Sequence, residues 1–203
     1  MLVGALAPGC SFQPAPPTGP GDGADGRVDA GAGGDGRPDA ERADAGVDAA
    51  PPCPPTYAQV GVASPGSRYR VLSVTASFRA QHDACLADRP GSTHLVVLET
   101  DAEAAEVGGL VGGGEEFYVG AVQRSSGGGV GDGWVWLTGA AVAVAWSAGQ
   151  PNDEAGVENG DQDVASAYPV DGSLNDVSGD WSYRAACECD GLALDPAAIA
   201  AIP

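Results

Sequence analysis

Basic residues are scarce in this chain of 203 residues, which contains nine arginines and no lysine. Acidic residues outnumber them, and the formal net charge at pH 7 is −19. A chain this acidic repels the phosphates of a nucleic acid, so we exclude nucleic acid as a partner. The charge instead favours cations as ligands and a soluble extracellular setting.

Histidine is almost as rare, and the two that occur are His82 and His94. No Gly-x-Ser-x-Gly elbow and no His-Glu-x-x-His motif accompanies them, so the usual catalytic arrangements of histidine are missing. His82 falls in a predicted helix and His94 at the start of a predicted strand, where a single histidine is usually structural. We therefore expect a protein that is not an enzyme.

Long hydrophobic runs are also missing. Residues 1–10 are apolar, but a membrane-spanning helix needs about 20 residues. They predict the remnant of a secretory signal whose basic start is absent. Residues 6–10, Leu-Ala-Pro-Gly-Cys, resemble a bacterial lipoprotein cleavage box, which predicts lipidation of Cys10 and a membrane-anchored lipoprotein in the periplasm or at the cell surface. The alternatives are an ordinary secreted or cytosolic N-terminus.

The segment 11–52 is rich in Pro, Gly, Ala and Asp and has one aromatic residue, Phe12. Such a composition cannot bury enough apolar surface to offset the entropy of ordering, so we predict a disordered acidic tether. The folded domain is expected over residues 53–190. Residues 191–203 are rich in Ala and Pro and are predicted to form a flexible tail.

Two helices are predicted in the first half of the domain. The first covers Ser73 to Asp88, with Thr75 as its cap and three apolar residues on one face at helical spacing: Phe78, Cys85 and Leu86. The second begins at Asp101, because Thr100 and Glu103 have the spacing of a capping box. It is expected to end near Val107, where the glycine-rich segment 108–114 starts.

Strands are predicted from β-branched and alternating patterns. The predicted strands are His94–Glu99, Phe117–Val122, Trp134–Trp136, Val164–Tyr168 and Trp181–Cys189. Trp134 and Trp136 lie on one face of their strand and are expected in the core. The glycine-rich segment 124–133 is predicted to be a long mobile loop.

Five cysteines leave an odd count, which the predicted lipidation of Cys10 would explain. The other four are Cys53, Cys85, Cys187 and Cys189. In an exported domain they imply two bridges, with three connectivities open.

Several motifs occur in an order that resembles the C-type lectin-like domain over about two-thirds of the chain. In chain order they are Cys85, Tyr118-Val119-Gly120-Ala121, Trp134-Val135-Trp136 with Gly139 and Trp146, Gln150-Pro151-Asn152, Leu174-Asn175-Asp176 and Cys187-Glu188. The resemblance implies an α+β fold with two helices, antiparallel sheets and long ligand-binding loops.

The family's invariant disulfide joins the first helix to the last strand, so the resemblance implies a Cys85–Cys187 bridge. Cys53 and Cys189 would then form the second bridge, and Cys85–Cys189 is the likeliest alternative pairing. The bridge that the family places in the loop region is missing here, because its positions align to Asp163 and Gly179.

The resemblance also implies a calcium site built from loop side chains, all with the oxygen ligands that calcium prefers. The residues that match the family's ligands are Gln150, Asn152, Glu158, Asn175 and Asp176. Asp161 is the second choice for the intervening acid. The same five residues would bind a sugar. The expected Kd for calcium is roughly 10⁻⁴ to 10⁻³ M, at the weak end of extracellular sites.

Family members with Glu-Pro-Asn tend to bind mannose-type sugars, and those with Gln-Pro-Asp bind galactose-type sugars. Gln150-Pro151-Asn152 is a hybrid of the two motifs, and Asn152 favours the mannose type. The expected function is thus calcium-dependent carbohydrate binding. The alternative is a calcium-independent module of the same fold that binds a surface protein, since many domains of this fold act through protein contacts.

Overall fold

The computed structural model describes residues 53–124, 128–156 and 158–203. The predicted signal remnant with Cys10 and the predicted tether over 11–52 lie outside these residues.

Eight strands and four helices make up the described chain. The strands are β1 (Gln59–Val60), β2 (Arg68–Ala76), β3 (Thr93–Leu95), β4 (Phe117–Gln123), β5 (Trp134–Trp136), β6 (Val164–Ala167), β7 (Leu174–Val177) and β8 (Tyr183–Cys189). The helices are α1 (Phe78–Asp88), α2 (Asp101–Val111), α3 (Asp153–Gly156) and α4 (Pro196–Ile199). The last two are short, and α3 is interrupted by positive φ at Glu154.

The strands form one twisted sheet with the order β1-β2-β8-β4-β6-β7. Strand β3 adds to the end of β8, and β5 adds to β4. The β4–β8 pair is parallel and the other pairs are antiparallel. The predicted α+β fold is confirmed, with β8, the last strand in the chain, inside the sheet.

Two hydrophobic clusters form the core. One contains Val107 of α2 together with both strand tryptophans, Trp134 and Trp136, which are 7% and 2% exposed. The other contains Phe78 of α1 and Tyr118 of β4, whose rings meet edge to face at 5.3 Å. The prediction that the two tryptophans are core residues is confirmed.

Both predicted disulfides are present. Cys85 of α1 is bonded to Cys187 of β8, and Cys53 is bonded to Cys189 at the end of the same strand. Together they attach the first helix and the start of the described chain to β8. The pairing that the resemblance implied is therefore confirmed.

The first helix begins later than predicted. Residues Arg68–Ala76 form strand β2, which pairs with β8, and the helix starts at Phe78. Its N-cap is Ser77, whose hydroxyl accepts the N–H of Ala80, so Thr75 is not the cap. The long-range pairing with β8 overrides the weak helical pattern of residues 73–76.

Strand β3 is shorter than predicted, since regular pairing covers only Thr93–Leu95. The extended chain continues, and Val96 donates its N–H to the Ala186 carbonyl at 2.9 Å. Val96, Val97 and Leu98 of the predicted strand are thus buried without forming a regular ladder, and Glu99 is exposed.

The second helix starts where the capping box predicts, with the Thr100 hydroxyl accepting the N–H of Glu103 at 3.1 Å. The Glu103 carboxylate accepts the N–H of Glu99 rather than that of Thr100. The helix passes through Gly108 to Val111, beyond the predicted end. A Cβ at Gly108 would lie 2.8 Å from the Pro169 carbonyl oxygen, so a glycine permits this close helix packing.

The predicted flexible tail over 191–203 is wrong for its second half, which is packed on the domain. Asp195 caps α4, Ala198 is fully buried and Ile202 is 4% exposed. The Arg79 guanidinium donates to the carbonyls of Ile202 and Pro203. Small apolar side chains and main-chain hydrogen bonds hold this segment, and neither produces a periodic sequence pattern.

Gly172 allows the turn before β7 to pass close to α2. Its φ is +75°, and a Cβ there would lie 2.3 Å from the carbonyl carbon of Ala104. Gly91 has a similar φ of +80° but no heavy atom within 4 Å of its Cβ position. We expect Gly91→Ala to cost about 1 kcal/mol of unfolding free energy, from φ strain alone.

Gly172→Ala should cost about 3 kcal/mol, because the helix backbone must also move. Urea denaturation of the two variants gives both values. Equal losses would contradict the contact with α2.

Candidate functional site

The candidate site lies where the chain after β5 meets strand β7. Trp146 pairs with Leu174 in a parallel bridge, and Ser147 donates its N–H to the Leu174 carbonyl at 2.8 Å. The Trp146 ring packs edge to face on Trp134 at 4.8 Å. These contacts place the Gln150-Pro151-Asn152 turn beside Asp176, and the Gln150–Pro151 peptide bond is cis.

Asp176 joins the two predicted halves of the site. Its side chain is almost fully buried, and Oδ2 accepts the N–H groups of Asn152 and Asp153 at 2.9 and 2.5 Å. Its other oxygen, Oδ1, is buried and has no hydrogen-bond partner among the described residues, and the same holds for Oε1 of Gln150. Two buried oxygens of the predicted ligand set are thus without a donor.

Asp153 organises the loop that follows. It is 2% exposed and has a positive φ of 45°, which turns its carboxylate inward. This carboxylate accepts the N–H groups of Asn159 and Gln162. Asp153 therefore connects two parts of the site. Its backbone N–H donates to Asp176, and its carboxylate holds the far end of the loop at Asn159 and Gln162.

Glu158 is half-buried at the end of β4. Its carboxylate accepts the side-chain amide of Gln123 at 2.8 Å and the N–H of Gly160 at 3.2 Å. Asp161, the alternative acid, is exposed, and its own N–H donates to the Asn159 side chain. The contact with strand β4 gives Glu158 the more fixed position of the two.

Asn175 points away from Asp176. Its amide donates to the Glu116 carboxylate at 3.1 Å, and the Ser166 hydroxyl donates to the same carboxylate at 2.5 Å. Successive side chains of a strand point to opposite faces of the sheet, which explains the divergence. The structure brings Asp176 to the Gln150-Pro151-Asn152 turn and leaves the Asn175 side chain with Glu116.

Acidic groups crowd the loop. Burial raises the pKa of the Asp163 carboxyl, and the negative charges of Glu158, Asp153 and Asp161 raise it further, in that order. These carboxylates are therefore close enough to repel one another. A cation at this end of the domain would relieve the repulsion.

Three polar residues of this region were missed at the sequence level as members of a site. Asp153, Gln123 and Glu116 were not among the predicted site residues. Asp153 carried one usable signal, since an acid directly after the Pro motif suits a tight turn with positive φ. The roles of Gln123 and Glu116 depend on contacts between distant segments and carry no local signal.

No protein-family model matches the chain, and no curated protein matches it. Solved structures do resemble it. The human scavenger receptor C-type lectin carbohydrate-recognition domain is 24% identical with a TM-score of 0.56, over 68% of this chain and 99% of that one. The C-type lectin CEL-I from Cucumaria echinata is 20% identical with a TM-score of 0.54, over 67% and 96%.

A calcium-independent type II antifreeze protein is similar to the same degree. It is 17% identical with a TM-score of 0.53, over 67% of this chain and 92% of that one. The fold thus occurs in proteins described as carbohydrate-recognition domains and in one described as calcium-independent.

Two further observations concern the surroundings of the domain. Both disulfides are of the kind that forms and persists in oxidising compartments, which indicates export. A helix long and apolar enough to cross a membrane is not found among the described residues.

Proposed function

This chain has the C-type lectin fold, and from that premise we propose that it is a calcium-dependent carbohydrate-binding module. The observation that carries the proposal is the pair of buried oxygens without a donor, Asp176 Oδ1 and Gln150 Oε1. Burying an oxygen without a partner is costly, and a hard cation would satisfy both atoms. They belong to the two motifs that the Asp176–Asn152 contact holds together.

Calcium takes six to eight oxygen ligands, so more of the set must contribute. Asn152 is already held at Asp176 through its own N–H. Glu158 is the proposed intervening acid and would turn from Gln123 toward the ion, with Asp161 as the second choice. Asn175 would join only when its amide leaves Glu116.

The charge of the region supports a cation. The crowding of Asp153, Glu158, Asp161 and Asp163 costs electrostatic free energy that a divalent ion would recover. When bound, calcium would offer open coordination positions to paired sugar hydroxyls. The five side chains would then both hold the ion and contact the sugar, with a preference for mannose-type ligands.

We also propose that the module is exported and anchored to a membrane by a lipid on Cys10. The two disulfides support export, and residues 6–10 support the anchor. The acidic segment 11–52 would then be the tether between the lipid and the domain. Mass spectrometry of the mature N-terminal peptide tests this part, since an unmodified Cys10 in protein from the native host contradicts it.

The calcium part is tested by thermal melting of the full chain during a calcium titration. At about ten times Kd, calcium should add about 1.4 kcal/mol by mass action. For a domain of this size the melting temperature should rise by about 5 °C. Asp176→Asn keeps an oxygen for the two N–H groups but removes the charge, so it should weaken calcium binding at least tenfold.

Asp83→Asn is the matched control, because Asp83 is an exposed acid on α1, outside the site. It should leave the calcium response unchanged. A wild-type melting temperature that does not move up to 10 mM calcium, well above the expected Kd, would exclude the ion.

The carbohydrate part is tested separately on a glycan array, with and without a chelator. Binding to mannose-type glycans that disappears with the chelator and in both Asn175→Ala and Asp176→Ala is the expected result. Calcium-dependent melting without glycan binding would preserve the ion site and reject the sugar.

The second candidate is a calcium-independent module that binds a surface protein. One observation favours it: Glu158 and Asn175 already have side-chain partners, Gln123 and Glu116, without any ion. Ligand binding that survives both the chelator and the Asp176→Ala substitution would select this candidate.

A further inference from the structure

A second polar cluster lies at the C-terminal end of β8, away from the candidate site described above. His94 of β3 is the cross-strand partner of Glu188 of β8, and Asp190 follows one residue after the strand ends. His94 and Glu188 are fully buried, and the Asp190 side chain is 7% exposed. One ligand atom from each of the three lies within 4.8 Å of the other two.

The hydrogen bonds of this cluster leave oxygens without partners. His94 Nδ1 lies 2.8 Å from the Leu95 carbonyl oxygen, and Nε2 lies 3.0 Å from Asp190 Oδ1. Glu188 Oε2 accepts the N–H of Val97 at 2.9 Å. Among the residues that the structure describes, no donor contacts the buried Glu188 Oε1 and Asp190 Oδ2. Two unsatisfied carboxylate oxygens beside one imidazole nitrogen are costly unless a cation or an added proton satisfies them.

The tautomer of His94 suits a metal ligand. The Leu95 carbonyl can only accept, so Nδ1 carries a hydrogen. Nε2 lies 3.0 Å from Asp190 Oδ1, which also only accepts, so Nε2 carries a hydrogen in this arrangement. Binding a metal would release that proton and give the ion the Nε2 lone pair. Metal-binding histidines commonly donate their other N–H to a backbone carbonyl in this way.

We propose that His94, Glu188 and Asp190 bind a divalent transition metal, with zinc as the fitting ion. The donor set of one imidazole nitrogen and two carboxylates matches zinc, whereas calcium prefers six to eight oxygens. Neutral His94 and two carboxylates carry a charge of −2, which the ion cancels. Ligand atoms on a zinc tetrahedron are about 3.3 Å apart, close to the observed 3.0 Å between His94 Nε2 and Asp190 Oδ1.

An alternative arrangement of the three side chains needs no cation: a protonated Glu188 beside a His94–Asp190 ion pair. This alternative predicts no metal affinity, so it is a distinct outcome of the experiment.

The site is separate from the proposed calcium site. Glu188 and Asp190 lie beyond Cys187 at the end of β8, whereas Asp176 lies on β7, three places along the sheet order. A bound zinc would connect β3 to the chain that follows β8. Its role would be structural, because all three ligands come from a buried position.

The experiment uses the full chain without a histidine tag and with Cys10→Ser, so that no free thiol competes. The protein is stripped with EDTA, dialysed and titrated with zinc chloride by calorimetry. We expect one equivalent to bind. His94→Gln should lower the affinity at least about a hundredfold, since loss of an outer-shell partner alone costs 10- to 100-fold.

His82→Gln is the matched control, because His82 is the other histidine of the chain and is also buried, with an unpartnered Nδ1. It should bind zinc like the wild type, and so should Asp176→Asn. Asp190→Asn serves if His94→Gln does not fold, since Asp190 lies at the edge of the cluster. The visible spectrum of the cobalt-loaded wild type then reports nitrogen and oxygen ligands in a tetrahedral site.

Three results would overturn the proposal. They are a wild type that binds no zinc, unchanged zinc affinity in folded His94→Gln or Asp190→Asn, and equal affinity for calcium and zinc that depends on Asp176.

Discussion

Replacing Cys85 and Cys187 together by alanine is expected to lower the free energy of unfolding by about 4 kcal/mol. Loss of a native bridge from a small exported domain costs about 2–5 kcal/mol, and more when the closed loop is long. This bridge spans 102 residues, and both cysteines are fully buried between α1 and β8. The change therefore removes a covalent constraint and also leaves a small cavity in the core.

The control is the pair Cys53→Ala and Cys189→Ala. This bridge closes the longer loop, 136 residues, but Cys53 is only half-buried and the bridge secures the first described residues rather than a helix, so less packing is lost with it. We expect a loss of about 2 kcal/mol, near the lower limit for a native bridge. Guanidinium denaturation followed by tryptophan fluorescence compares the two variants. A larger loss in the control would contradict the central place given to the α1–β8 bridge.

Asp153→Ala is expected to cost about 3 kcal/mol and to open the loop 153–162. The Asp153 carboxylate accepts two backbone N–H groups, from Asn159 and Gln162, and a hydrogen bond to a charged group contributes about 1.5–3 kcal/mol. The variant keeps the backbone N–H that residue 153 donates to Asp176, but an opened loop would no longer hold this N–H in place, so we expect calcium binding to weaken as well.

The sharpest measurement for this variant is hydrogen exchange at the amides of Asn159 and Gln162, which should become fast. Glu154→Ala is the control, since the neighbouring side chain is exposed and loses the same charge. It should leave both amides protected. Asp153→Asn, which keeps an acceptor oxygen, should fall between the two. Unchanged protection in Asp153→Ala would show that the loop is held by other contacts.

The fold class and the two disulfides could be predicted from the sequence, because motif order identifies a fold when single motifs cannot. Strands β2 and β7 and the short helices α3 and α4 were not among the predicted elements. Local chemistry also located the start of α2, since Thr100 and Glu103 interact within one turn of helix. The first helix was placed too early, because the strand state of residues 73–76 depends on pairing with β8. Nothing within those four residues indicates that pairing.

The candidate site was predicted less completely than the fold. Asp176 and the Gln150-Pro151-Asn152 turn do meet, as the motifs indicate. Strand alternation could have indicated that Asn175 and Asp176 point to opposite faces, and it was not applied to this pair. The contacts of Glu116 with Asn175 and of Gln123 with Glu158 join residues more than thirty positions apart, so no local pattern encodes them.

The role proposed for His94 could not be predicted from the sequence, for a different reason. In the sequence it is one of two isolated histidines, and the structural role is the more common one. Its register opposite Glu188 follows from the pairing of β3 with β8, which are far apart in the chain. Only the fold brings the imidazole and the two carboxylates together.

The Cys53–Cys189 bridge also determines how the domain bears a mechanical load. A pull on the chain from the N-terminal side of Cys53 passes through the disulfide directly into β8, which is an inner strand of the sheet. Strand β1 at the edge of the sheet and its neighbour β2 lie within the loop that this bridge closes, so the force bypasses them and cannot separate them one hydrogen bond at a time. Reduction of this single bond would redirect the load to the edge of the sheet. Force spectroscopy should then record rupture at a lower force.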